Sequence, residues 1–117
     1  PGTGAAEDRG PYGTVWNVPI PAALPRARYL DAWTRAIDAA TEGWIPEIVL
    51  VSAGFDSLAG DPLGGFTLEI EDFVTMTRDL VARAEAWCAG RVVSSLEGGY
   101  APERMAAAAV EHMRALV

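Results

Sequence analysis

Two short loops carry the side chains best suited to chemistry. In Ser52-Ala53-Gly54-Phe55-Asp56 a carboxylate follows an apolar run and a glycine. A hard carboxylate projecting from the end of a strand can bind a cation such as Zn²⁺ or Mg²⁺. The plainer reading is an aspartate that opens a turn or caps the loop behind it. In Glu97-Gly98-Gly99-Tyr100 the glycines let the backbone approach a ligand or metal, and Tyr100 offers an O–H donor that can stabilise an oxyanion. The plainer reading there is an interface or capping tyrosine. Between the two lies Gly60-Asp61-Pro62-Leu63-Gly64-Gly65, a turn in which Asp and Pro set the bend and Gly supplies positive φ. Asp61 can also orient the Asp56 loop from behind, and the apolar Leu63 can line a pocket mouth.

Other chemistries find little support. His112 is the only histidine and falls on the last helix, where it reads as a surface or packing residue. Cys88 reads as a small core residue, with no second histidine to activate it. Ser94 and Ser95 sit inside a strand without the nucleophile-elbow glycines. The glycine spacing is not that of a dinucleotide site, and the absence of any Lys removes a P-loop. A nucleotide-binding module is therefore disfavoured.

The elements that must position these loops follow from periodicity. Residues 1–13 read as loop, and Thr14-Val15-Trp16-Asn17-Val18 as a strand stopped by Pro19 and Pro21. Residues 27–43 carry apolar groups at helical spacing, ending at Gly43. Residues 47–52 contain a continuous apolar run, expected to be a strand buried on both faces as in a parallel sheet. Thr67 is the expected N-cap of a helix that buries Ile70, Phe73, Val74, Thr77, Leu80, Val81, Ala84, Trp87 and Cys88 and stops at Gly90. Residues 91–96 form a third strand. Pro102 opens a last helix whose stripe is Met105, Ala106, Ala109, Val110, Met113 and Leu116. The four tryptophans are expected in the core or between helices and sheet. The order β-α-β-α-β-α implies an α/β fold with a parallel sheet, whose ligands collect at the carboxyl ends of the strands. Both candidate loops lie at such ends.

Composition bounds the partners. The 117 residues suit one domain spanning 1–117, and 50% hydrophobic content suits a buried core. A net charge of −7, with every basic residue an Arg, excludes nucleic acid and anionic membrane surfaces as expected partners. One cysteine excludes a disulfide scaffold and points to a reducing cytoplasm. The opening Pro1-Gly2-Thr3-Gly4, without an initiator Met or a signal-peptide pattern, is expected to have been cut from a longer chain.

Val51-Ser52-Ala53-Gly54-Phe55-Asp56 with Gly60-Asp61-Pro62-Leu63-Gly64 resembles the zinc-binding segment of the histone deacetylase and acetylpolyamine amidohydrolase family. Leu96-Glu97-Gly98-Gly99-Tyr100 resembles that family's catalytic-tyrosine loop. Pro1-Gly2-Thr3-Gly4 and Asn17-Val18-Pro19 resemble segments upstream of it, and Met76-Thr77 fits the helix between the loops. Two motifs at the right separation make the likeness specific. Ala101 replaces an Asn common after the tyrosine, and Phe73 stands where Tyr is frequent.

The resemblance implies an arginase–deacetylase α/β fold and zinc-dependent hydrolysis of the N-acetyl amides of acetyl-lysine or acetylpolyamine-type substrates. It matches Asp56 to a zinc ligand, Tyr100 to the oxyanion donor and Leu63 to the substrate tunnel, with Asp61, Gly98 and Gly99 shaping the loops. The family's Asp-x-His ligand pair and tandem general-base histidines have no counterpart here. The chain is therefore expected to be the C-terminal part of a deacetylase-like domain, inactive alone and without tightly bound Zn²⁺. Its open sheet edge is expected to drive self-association, and a non-catalytic assembly module is the rival reading.

Overall fold

The computed structural model describes residues 4–117, so Pro1-Gly2-Thr3 of the opening motif lies outside the described residues. Five elements follow in chain order: α1 (Arg26–Ala40), β1 (Val49–Ala53), α2 (Ile70–Cys88), β2 (Val92–Leu96) and α3 (Pro102–Ala115). β1 and β2 pair in parallel from Val49↔Val92 to Ala53↔Leu96, with α2 as the crossover between them. The architecture is the expected α/β class with one strand fewer, and the order is α-β-α-β-α.

The missing strand is Thr14–Val18. Among the described residues it pairs with no other strand, and its surroundings explain why. The Asn17 amide donates to the carbonyls of Ala5 and Asp8, at 3.1 and 2.9 Å. The Arg9 guanidinium stacks 3.4 Å over the Trp16 ring. These contacts curl the segment on itself, and the prolines behind it withhold ladder donors.

α2 begins later than Thr67 suggested. Glu69 is its N-cap, with its N–H donating to the Asp72 carboxylate at 2.8 Å. The Thr67 hydroxyl instead donates to the Leu24 carbonyl at 2.7 Å, tying the N-terminal segment to the loop before α2. Asp72 also receives the Arg26 fork, with Nε at 2.6 Å and Nη2 at 3.1 Å, which docks the start of α1 on the start of α2. At the other end Ala89 and Gly90 both take left-handed conformations.

The core lies beneath the carboxyl ends of the strands. Phe55, Leu58 and Leu68 are fully buried and join Ala53, Phe73 and Ala108. The Phe55 and Phe73 ring centroids are 5.0 Å apart. Burying a side chain such as Phe55 contributes about 2 kcal/mol, so the loop after β1 is anchored by its own apolar residues. An isolated bridge between Leu58 and Leu68 closes that loop.

Three packing expectations are corrected. β1 is not buried on both faces: Leu50 is 72% exposed, because the helices cover only the face bearing Val51 and Ala53. The buried stripe of α3 is rotated, with Ala108, His112 and Ala115 inside while Val110 and Met113 are exposed. The rotation follows from His112, whose ring nitrogens sit 2.7 Å from Thr77 Oγ1 and 2.8 Å from Ser94 Oγ, satisfying it inside the core. Burial pushes its pKa below 6.5. Trp16 and Trp44 lie largely at the surface rather than in the core; the Trp44 indole donates to the Ala40 carbonyl at 2.6 Å behind α1.

Candidate active site

The parallel pairing of β1 and β2 continues past the strands and brings the two loops together. The Glu97 N–H donates to the Ala53 carbonyl at 3.0 Å, and the Phe55 N–H donates to the Gly98 carbonyl at 2.8 Å. Phe55 points into the core, so its neighbour Asp56 is turned toward the second loop. Its carboxylate lies between two glycines. A Cβ on Gly98 would stand 2.8 Å from Asp56 Oδ2, and one on Gly54 would stand 3.3 Å from Oδ1. Among the described residues none donates a hydrogen bond to this carboxylate. Asp56 therefore caps nothing, although it does stand in the turn that the Leu58 N–H closes on the Phe55 carbonyl at 3.2 Å.

Asp61 has the opposite environment. It is buried, and its carboxylate accepts three backbone N–H groups: Leu63 at 2.9 Å and Gly64 at 3.1 Å on Oδ1, and Tyr100 at 2.7 Å on Oδ2. Desolvation pushes its pKa up, but the amides of Tyr100, Leu63, Gly64 and Ala101 together outweigh this and hold it below the ordinary 3.8. The carboxylate is thus ionised at neutral pH and ties both loops together.

Tyr100 is 52% exposed, and its hydroxyl has no hydrogen-bond partner among the described residues. Leu63, 72% exposed, stands on the rim of the same loop cluster. Gly99 holds φ at 133°, and a Cβ there would meet Met105 and Phe55. The sequence did not single out one function of Gly64. Its backbone packs so closely on the Asp56 carbonyl that no Cβ fits. A second glycine in a Pro-Leu-Gly-Gly turn was the available sign.

Among the described residues no group of three or more His, Cys, Asp or Glu side chains converges to hold a metal. Asp56 has the chemistry of a ligand here, as a carboxylate in a glycine cradle with no donor from the described residues. It can supply one of the three protein ligands that a catalytic zinc site requires. A cavity of about 210 Å³ lies elsewhere, on the helix-covered side of β1 among Trp33, Phe55, Phe73, Met76 and His112, and it is not lined by Asp56, Leu63 or Tyr100.

Residues 1–116 match the family model described as the histone deacetylase domain. Histone deacetylase 4 of Caenorhabditis briggsae is 37% identical over 123 residues, covering 100% of this chain and 13% of the relative. Among solved structures, the HD domain of HDA15 superposes with a TM-score of 0.84 at 30% identity, covering 99% of this chain and 34% of that one. The histone deacetylase Clr3 gives a TM-score of 0.83 at 31% identity, covering 97% and 19%. The chain spans well under half the length of these relatives. With the family model matched over nearly every residue, and with two loops zipped together on that shared fold, this chain belongs to the histone deacetylase family.

Proposed function

We propose that this chain supplies Asp56 and Tyr100 to the active site of a zinc-dependent deacetylase, which hydrolyses N-acetyl amides of the acetyl-lysine or acetylpolyamine class. The observation that carries this reading is the pairing of Phe55 with Gly98, which sets an unpaired carboxylate beside the loop of an unpaired tyrosine hydroxyl. Asp56 would hold the metal through its carboxylate. When bound, zinc polarises the scissile carbonyl and lowers the pKa of its water toward about 7. The Tyr100 O–H donates to the carbonyl oxygen, more strongly as negative charge develops there. Leu63 presents an apolar wall to the acyl-bearing chain, and Gly98 leaves room for the Asp56 carboxylate.

The remaining zinc ligands and the general base come from outside these 117 residues in this reading, with 1–117 acting as one C-terminal unit. His112 supports that view, because both its ring nitrogens are engaged in the core. The chain alone is accordingly inactive and binds zinc weakly. The buried free thiol of Cys88 suits a reducing cytoplasm.

The test uses the intact deacetylase that carries these residues. Tyr100→Phe lowers kcat by about 10²–10³-fold with zinc retained, whereas Asp56→Asn lowers zinc affinity by at least about 100-fold. Wild-type rate and zinc content in both variants would dismiss the assigned roles.

One observation favours a second reading, an assembly module. Ile48, Leu50, Val93 and Leu96 leave the uncovered side and ends of the two-stranded sheet apolar and exposed. Self-association of the chain through that surface follows, and light scattering that finds a strict monomer at high concentration would count against it.

A further inference from the structure

We infer that Asp61 is a positioning residue for Tyr100: its buried carboxylate fixes the tyrosine backbone and so sets where the hydroxyl can reach. This rests on the catalytic role proposed for Tyr100. The geometry is specific. Tyr100 sits in the bend between β2 and α3, preceded by Gly98 and Gly99, so its local backbone is permissive. Its side chain is too exposed for packing to hold it. Chain pairing ends at the Gly98 carbonyl, and helical bonding begins with the Ala101 carbonyl, which accepts the Met105 N–H at 2.8 Å. Between these points the hydrogen bond from the Tyr100 N–H to Asp61 Oδ2 at 2.7 Å anchors the loop, with the Ala101 amide turned to the same carboxylate.

The other carboxylate oxygen explains why the tie is rigid. Asp61 Oδ1 accepts from Leu63 and Gly64, and Gly64 is pressed on the Asp56 carbonyl. One side chain therefore refers the backbone of Tyr100 to the backbone of the proposed metal ligand. An ionised acceptor of this kind makes short, strong bonds to N–H donors.

A double-mutant cycle in the intact enzyme tests the inference. Asn at position 61 can keep one oxygen for Leu63 and Gly64 while turning an N–H₂ donor toward the Tyr100 N–H. Asp61→Asn is expected to lower kcat by about 10²-fold, the scale of an ångström-sized misplacement, with KM and zinc content changed less than about threefold. In a Tyr100→Phe background the same substitution is expected to cost less than about threefold more, because there is no hydroxyl left to position. An equal loss in both backgrounds would overturn the inference. Should Tyr100→Phe alone keep the wild-type rate, the catalytic reading of Tyr100 fails first, and the positioning role falls with it.

Amide exchange in the unaltered enzyme gives a test that no folding defect can obscure. The Tyr100 N–H should exchange at least about tenfold more slowly than a free loop amide. Exchange at the free-loop rate would also overturn the inference.

Discussion

Asp56 and Asp61 belong to the same loop and do opposite things. Asp61 is buried and accepts three backbone amides, whereas Asp56 lies between two glycines with no donor from the described residues. A carboxylate whose lone pairs are already used by the chain is a structural part. One that is half-buried between two glycines, with no donor from the described residues, is available to something outside the chain. The contrast separates two roles that residue type alone cannot distinguish.

The strongest way to break the contrast is Gly64→Ala, which drives a methyl group into the Asp56 carbonyl. Both aspartates then lose their geometry, with destabilisation on the order of 3 kcal/mol. Unchanged thermal melting in this variant would mean that the packing of Gly64 on Asp56 is not tight.

A smaller effect sharpens the comparison directly. Asp61→Ala leaves three amides without their acceptor and should lower the melting temperature by about 5–10 °C. Asp56→Ala removes no internal hydrogen bond and should shift it by less than about 2 °C. Equal shifts would erase the distinction.

The smallest effect is the response to acid, which contrasts Asp61 with another buried titratable group, His112. Burial lowers the folded pKa of His112, so the unfolded chain binds the extra proton first. That share of stability is complete above pH 6.5 and declines as pH falls below it. Asp61, held below 3.8, contributes stability that is complete above that value and is lost only as pH falls through its lower folded pKa. Melting temperature should therefore fall by about 3 °C between pH 7.5 and 5.5, and His112→Gln should flatten that slope. A slope unchanged in the variant would assign the loss to another group.

Legibility in the sequence depended on how local the deciding interaction was. α2 was readable over most of its length because Phe73, Thr77, Leu80, Ala84 and Cys88 repeat at the helical period and all are buried. β1 and β2 were readable from their β-branched runs, to within two residues at each end. The segment Thr14–Val18 misled because strand propensity needs a partner strand, and an Asn17 side chain and an Arg9–Trp16 stack took its place. The α3 stripe misled because hydrophobicity ranks Val110 above His112. Two long-range hydrogen bonds, to Thr77 and Ser94, reversed that order.

The sequence by itself determined the α/β class, the placing of both loops after strands, and the residue types each loop brings. Those follow from periodicity and turn chemistry within short windows of chain. Only the tertiary structure decided which carboxylate is free. The donors that occupy Asp61 include one 39 residues away, and the glycine that makes room for Asp56, Gly98, lies in the loop after β2. Hydrogen-bond satisfaction is a property of groups brought together by folding, and no spacing along the chain records it.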